Sequence, residues 1–175
     1  MKKIQNNVPS VTQIVNSVLG EPLYGTEWHL RRGAMLHKAI SLHLQGKLNE
    51  KTIDARILPH FESAKKAIRD LNLSQYIFVE TKLYHHLYQF SGTPDVITSD
   101  AIIDWKSSHS ETSEAQLGGY VLLAETQKIH IKKCIEIVLE DDRYVITEYK
   151  PSRGKSLFLA CLTIYNWRRE WKRLK

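Results

Sequence analysis

Cysteine is scarce in this chain, and its scarcity excludes two kinds of metal site. The 175 residues contain two cysteines, Cys134 and Cys161. Two thiols are too few for a four-cysteine zinc site or for an iron–sulfur cluster. Both cysteines have apolar neighbours, which is typical of free thiols in a protein core in a reducing compartment. The sequence therefore predicts two free, buried cysteines and no iron–sulfur cluster.

Long apolar runs are also missing. No stretch approaches the roughly 20 apolar residues that a membrane span needs. The basic start of the chain, Met1 to Asn7, is not followed by the apolar segment of a secretory signal. We therefore expect a cytoplasmic protein without a membrane partner. Lys and Arg number 25 and Asp and Glu 19, a net charge of +6, which is compatible with a phosphate-bearing partner but does not identify one.

No repeat, low-complexity tract or flexible linker divides the sequence, so residues 1–175 are predicted to form one domain. Within it, residues 1–72 are helical, residues 73–150 form a sheet with one helix, and residues 151–175 form a basic terminal helix. Hydrophobic periodicity and capping residues predict helices at about 10–20, 27–45, 52–71 (kinked or broken at Pro59), 114–126 and 156–174.

Five segments rich in β-branched and aromatic residues are predicted to be strands. They are Tyr76–His86, Tyr88–Ile97, Ala101–Lys106, Ile131–Leu139 and Tyr144–Tyr149. The resulting order, ααα–βββ–α–ββ–α, predicts an α/β fold with one mixed central sheet flanked by helices.

The third predicted strand carries two charges on one face. Side chains alternate along a strand, so Asp104 and Lys106 point one way and Ile103 and Trp105 the other. Such an apolar strand is expected to be central, where an unpaired charge costs several kcal/mol. The two charges therefore either pair with each other, or line a cleft that a metal ion and a phosphate complete.

Asp95 belongs to the preceding strand, beside Pro94. Two carboxylates converging from adjacent strands offer the hard oxygen ligands that suit Mg²⁺ or Mn²⁺. Such an ion polarises a phosphate and lowers the pKa of a bound water, and a lysine beside it can stabilise developing negative charge. The alternative is a structural Asp104–Lys106 pair with Asp95 in a turn.

The sequence Pro94-Asp95, followed by Asp104-x-Lys106, resembles the motif of the PD-(D/E)XK nuclease superfamily. The predicted order of helices and strands is also similar to the restriction-endonuclease-like core of that superfamily. The resemblance implies that Asp95, Asp104 and Lys106 are catalytic.

Further motifs resemble the RecB-like exonuclease branch, including mitochondrial genome maintenance exonucleases and related phage exonucleases. Gly33-x-x-x-His37 is similar to the Gly-x-x-x-His helix of that branch, and Gln116-x-x-x-Tyr120 to its Gln-x-x-x-Tyr helix. Glu80 opens the strand before the Pro-Asp strand, where these proteins often carry a glutamate. A departure occurs at Ser41, where many relatives have a glutamate.

The resemblance implies a Mg²⁺- or Mn²⁺-dependent DNA exonuclease, acting at single-stranded ends in repair, recombination or replication, in a bacterial or phage-infected cell. An endonuclease of the same superfamily and a non-catalytic DNA-binding module remain alternatives. CRISPR-associated relatives are disfavoured, because many hold an iron–sulfur cluster. The implied roles are catalysis by Asp95, Asp104, Lys106 and Glu80; metal binding by His37, Asp95, Asp104 and the backbone carbonyl of Trp105; and support or DNA contact by Gln116, Tyr120 and Gly33.

Several of these residues have ordinary alternatives. His37 would otherwise be a core or surface histidine, Glu80 a surface strand residue, and Gln116 and Tyr120 ordinary helix residues. Gly33 would allow a neighbouring helix to approach closely.

The end of the chain combines basic and aromatic side chains. It could grip single-stranded DNA by charge and stacking, or it could form an amphipathic helix that docks its tryptophans on the core. The candidate DNA contacts there are Arg168, Arg169, Lys172 and Arg173.

Overall fold

The computed structural model describes residues 8–20, 27–73 and 75–173. A five-stranded sheet forms the centre, in the spatial order β1-β4-β5-β6-β7, and β2 and β3 form a separate two-stranded sheet. The strands are β1 (Tyr76–Val79), β2 (Leu83–His85), β3 (Phe90–Gly92), β4 (Val96–Thr98), β5 (Ala101–Lys106), β6 (Lys133–Leu139) and β7 (Tyr144–Tyr149).

The central sheet is mixed. Strands β5 and β6 pair in parallel, whereas the other neighbours pair antiparallel. The parallel connection passes through a helix, as expected for a crossover between parallel strands. This arrangement confirms the predicted α/β class with a mixed sheet flanked by helices, and it makes β5 the middle strand.

Five helices cover the sheet: α1 (Val11–Leu19), α2 (Glu27–Leu44), α3 (Leu58–Asp70), α4 (Ser113–Thr126) and α5 (Pro151–Arg173). Helices α1, α4 and α5 form one buried cluster with one face of the sheet, and α2 and α3 form a second cluster with the other. The alternation along β5 divides its side chains accordingly, since Ile102 joins the first cluster whereas Ile103 and Trp105 join the second.

Two segments that were predicted to be single strands each contain two separate strands. The segment Tyr76–His86 is split into β1 and β2, and the segment Tyr88–Ile97 into β3 and β4. Glu80 (φ 47°) adopts a left-handed backbone conformation at the first break, where an extended strand cannot continue. The second break covers residues 93–95 and contains Pro94, which cannot donate to a strand ladder. The first group of strands therefore contains five members rather than three, and Glu80 follows β1 instead of opening a strand.

Helix boundaries also need correction. The third predicted helix begins at Leu58, with Pro59 in its first turn, and a short 3-10 helix (Glu50–Thr52) precedes it. Of the two predicted outcomes, a kink or a break at Pro59, the structure shows the break, with Pro59 in the first turn of α3, where its missing amide hydrogen is not needed. The terminal helix begins at Pro151, earlier than the predicted Ser156, and the predicted end at Leu174 lies outside the described residues.

Helix α1 starts as predicted. The Ser10 hydroxyl accepts a hydrogen bond from the Gln13 amide at 3.1 Å, and the Gln13 side chain accepts one from the Ser10 amide at 2.9 Å. This reciprocal cap satisfies two of the unpaired amides at the helix start.

Helices α4 and α5 cross where two glycines meet. A Cβ atom added at Gly118 would lie 2.0 Å from the backbone of Gly154, so the crossing has no room for a side chain there. No helix in the described part of the chain is long and apolar enough to cross a membrane. Cys134 and Cys161 are free and buried, as predicted.

Candidate active site

Asp95 joins three elements through one carboxylate. It lies just before β4, and its Oδ2 atom accepts a hydrogen bond from the backbone amide of Trp105 on β5 at 2.8 Å. Its Oδ1 atom lies 3.0 Å from Nδ1 of His37 on α2. Asp95 is 7% exposed, so these contacts hold an almost fully buried carboxylate in a fixed orientation.

His37 faces this carboxylate from α2. Burial lowers the pKa of His37, but the negative charges of Asp95 and Asp104 outweigh that effect and raise the pKa to about 9. A protonated imidazole therefore neutralises part of the acidic charge when no cation is bound. The side chain is 30% exposed, so it lies at the mouth of the site rather than in the core.

Glu80 lies on the other side of Asp95. Its backbone amide donates to the Asp95 carbonyl at 3.0 Å, which fixes the turn after β1 against the start of β4. Although the residue is exposed, partial burial of its carboxyl group and the charge of Asp95 raise its pKa to about 7. Its carboxylate therefore faces Asp95 instead of pointing away into water.

The three side chains offer a possible set of metal ligands. One ligand atom from each of His37, Glu80 and Asp95 lies within 4.8 Å of the others. One imidazole nitrogen and two carboxylate oxygens suit a divalent cation such as Mn²⁺, and the oxygens suit Mg²⁺. The raised pKa values of His37 and Glu80 show that both side chains hold protons readily when no cation is bound. The donor set therefore fits a divalent ion.

Asp104 and Lys106 occupy the same face of β5, as predicted. Their Oδ2 and Nζ atoms form an ion pair at 2.8 Å. Asp104 is 2% exposed, so its carboxylate is buried and Oδ2 has the Lys106 ammonium group as its partner. Burial and the charge of Asp95 raise the pKa of Asp104 to about 6, although Lys106 opposes the shift.

Gln116 and Tyr120 support this pair from α4. The Gln116 Oε1 atom accepts a hydrogen bond from Lys106 Nζ at 3.1 Å. Its Nε2 atom lies 3.4 Å from Asp104 Oδ1 and 3.0 Å from the Tyr120 hydroxyl. Gln116 and Tyr120 are 8% and 4% exposed, so they hold the Asp104–Lys106 pair from beneath rather than from the open side.

Three further residues singled out in the sequence lie near the site. The expected close helix contact at Gly33 is wrong for the described residues, since a Cβ there would meet nothing within 4 Å. Ser41 is buried and accepts a hydrogen bond from Gln45. For Trp105, the observed site contact is through its amide, and metal binding by its carbonyl stays a prediction.

The tryptophans of α5 do not dock on the core. Trp167 is 60% exposed and Trp171 52% exposed, and their rings stack with centroids 6.2 Å apart. The docking alternative is therefore wrong for this pair. Arg168, Arg169 and Lys172 are also exposed, and Arg168 donates to the Ser17 carbonyl at the end of α1. The side chain of Arg173 lies outside the described part of the structure.

Sequence reasoning missed Glu136 on β6. It is fully buried, and its carboxylate accepts hydrogen bonds from His109 (2.8 Å), the Ser110 amide (3.2 Å), the Ser113 hydroxyl (2.6 Å) and the Tyr149 hydroxyl (3.0 Å). These bonds hold the segment between β5 and α4, and thereby the start of the helix that carries Gln116. The available signal was a single glutamate inside an apolar strand, which requires buried partners.

No family model matches the chain, and no curated protein matches it either. A solved structure described as the crystal structure of SSO0001 is 18% identical, covers 95% of this chain and 79% of its own, and has a TM-score of 0.45. A likeness that distant carries no argument about function.

Proposed function

We propose that this chain is a divalent-metal-dependent nuclease that hydrolyses phosphodiester bonds in DNA. The observation that carries the proposal is the position of the buried Asp104–Lys106 pair beside the donors His37, Glu80 and Asp95. Buried charges of this kind cost stability, and titratable groups with strongly shifted pKa values cluster at functional sites. The resemblance of the motif around Asp95, Asp104 and Lys106 to PD-(D/E)XK nucleases supports the same conclusion.

His37, Glu80 and Asp95 would hold the ion, with Asp104 adjacent through its interactions with Asp95 and His37. A bound Mg²⁺ or Mn²⁺ would polarise the scissile phosphate and acidify a water. Asp95 keeps its orientation through the Trp105 amide. The site thus offers preformed ligands, which reduces the cost of ordering them when the ion binds.

Lys106 has the position of a group that acts on the phosphate. Its charge is retained, because Asp104 and Asp95 raise its pKa despite burial. Gln116 fixes its ammonium group at 3.1 Å, so one donor is oriented before a substrate arrives. Such a donor stabilises negative charge developing on a phosphate oxygen, or orients the attacking water.

Action on single-stranded ends, in repair, recombination or replication, is the part of the proposal that rests on the resemblance to RecB-like exonucleases. We propose the cytoplasm as the location. An endonuclease would use the same groups, and the substrate separates the two: an exonuclease degrades linear single-stranded DNA and spares circles, whereas an endonuclease opens circles.

The test uses end-labelled linear and circular single-stranded DNA with Mg²⁺, Mn²⁺ or excess EDTA. We expect cleavage with either ion and none with EDTA. Lys106→Ala should lower turnover by about 10²–10³-fold, as when one donor to a developing oxyanion is lost. The matched control is Lys66→Ala, which removes an exposed lysine from α3 and should cleave normally. Cleavage that persists in EDTA, or a normal rate in Lys106→Ala, would contradict the mechanism.

A further inference from the structure

A second polar cavity adjoins the candidate active site. Its volume is about 400 Å³, and it lies where the start of α1 meets β3. The backbone amide of Ser91 on β3 donates to the Pro9 carbonyl at 2.9 Å, which fixes the two elements against each other. The polar side chains in its wall are those of Ser10, Thr12, Gln13, Lys82, Ser91 and Thr93.

The charge of this cavity favours an anion. Lys82 brings a positive charge, and within the described part of the chain no acidic side chain lines the cavity. The start of α1 adds the partial positive charge of a helix amino terminus. The Ser10 hydroxyl satisfies the Gln13 amide, so the first-turn amides of Val11 and Thr12 remain without a partner inside the helix.

The walls also supply neutral hydrogen-bond donors. Ser91 is 2% exposed, so its hydroxyl belongs to the buried wall rather than to the outer surface. Thr12 and Thr93 add two more hydroxyl groups. One ammonium group and several hydroxyl donors in the same cavity suit the oxygens of a phosphate.

Two connections tie this cavity to the candidate active site. Thr93 precedes Asp95 by two residues, so their Cα atoms lie at most about 7 Å apart. Tyr120 lines the cavity, forms a hydrogen bond with Thr12, and contacts Gln116 through its hydroxyl at 3.0 Å. A DNA strand that places one phosphate at Lys106 therefore brings a neighbouring phosphate close to the cavity.

We propose that this cavity, the Lys82 cavity, binds the phosphate of a nucleotide that flanks the scissile phosphate on the same DNA strand. Lys82 and the surrounding hydroxyl groups contact the phosphate oxygens, so the contact is independent of base sequence. This inference rests on the proposed nuclease function. It adds a site that sets the register of the strand relative to Lys106.

Binding without metal tests the cavity separately from catalysis. Fluorescence anisotropy with a labelled single-stranded oligonucleotide in EDTA, over a series of salt concentrations, compares the wild type with Lys82→Ala, Lys82→Arg and Lys66→Ala. Lys82→Ala should weaken binding and reduce the slope of log K against log salt by about 0.7, the effect of losing one single-strand phosphate contact. Lys82→Arg should retain most of the slope, and Lys66→Ala, which removes the same charge elsewhere, should retain all of it.

Oligonucleotides with one neutral methylphosphonate linkage locate the contact. One linkage position next to the cleaved bond should weaken wild-type binding, and Lys82→Ala should lose nothing further at that position. Equal salt slopes for Lys82→Ala and Lys66→Ala, or equal losses at every linkage in both proteins, would overturn the Lys82 cavity. If Lys82→Ala weakens DNA binding as expected but the wild-type protein cleaves no DNA, the nuclease proposal is contradicted and the phosphate-binding site is supported.

Discussion

Asp104 and Glu136 are buried carboxylates that lie directly opposite each other on the parallel strands β5 and β6. Glu136 has four hydrogen-bond donors on its two oxygens. Among the described residues, Asp104 has a 3.4 Å contact with Gln116 at Oδ1 and the 2.8 Å ion pair with Lys106 at Oδ2. The two residues share a depth in the fold but differ in how completely their charges are satisfied.

This difference separates a structural carboxylate from one suited to a ligand. A buried carboxylate with every lone pair occupied stabilises the segments that donate to it, and it has no capacity left for a ligand. A buried carboxylate with fewer donors and a raised pKa costs stability when it is charged, and it keeps oxygen lone pairs for a further ligand. The degree of burial alone does not distinguish Asp104 from Glu136.

The largest expected effect comes from Asp104→Asn. We expect turnover to fall by at least about 10²-fold, as with other losses of transition-state charge stabilisation, and affinity for Mn²⁺ to fall with it. At pH 8 the melting temperature should change little, because the removal of a charge that burial disfavours offsets the loss of the ion pair with Lys106. Calorimetry measures the melting temperature, metal titration measures the affinity for Mn²⁺, and the cleavage assay measures turnover. A variant with normal turnover would make Asp104 a structural residue like Glu136.

Glu136→Gln should have the opposite profile. An amide replaces one accepting oxygen by a donor, which then faces either the Ser113 hydroxyl at Oε1 or the Tyr149 hydroxyl at Oε2. The free energy of unfolding should fall by about 1–3 kcal/mol, the cost of leaving buried polar groups unsatisfied. Urea denaturation measures it, with Glu148→Gln on an exposed position of β7 as the control, expected to stay within about 0.5 kcal/mol. Equal free energies of unfolding for Glu136→Gln and Glu148→Gln would contradict the assignment of Glu136 as a structural carboxylate.

The smallest effect concerns pH and metal. The pKa of His37 is raised to about 9 and that of Glu80 to about 7, so both hold protons more tightly in the folded state. The resulting stability is lost as pH rises, first through 7 for Glu80 and then through 9 for His37. A cation competes with these protons, so the increase in melting temperature caused by Mn²⁺ should grow from pH 6 to pH 9.

Differential scanning fluorimetry with and without Mn²⁺ measures this dependence. An ion at a hundredfold excess over its Kd contributes about 2.7 kcal/mol, which corresponds to roughly 5–10 °C for a domain of this size. His37→Ala should flatten the upper part of the pH profile. A shift that is independent of pH would place the ion away from these groups.

The sequence predicted the fold class and the contents of β5, because apolar alternation determines which face of a strand is buried. It did not predict the break after β1, because Glu80 adopts a left-handed conformation that its residue type does not signal. Asp95, Asp104 and Lys106 were recognisable from local spacing. Glu136 was not, because its donors come from residues before and after it in the chain that only the folded sheet brings together.

The crossing of α4 and α5 constrains how this sequence can vary over evolution. Gly118 and Gly154 touch backbone to backbone, so neither position accepts a larger residue unless the two helices move apart. Such a movement would displace α4, and with it Gln116 and the Lys106 ammonium group. Homologous chains with this same crossing should therefore keep the two positions small together, even where the surfaces of both helices have diverged.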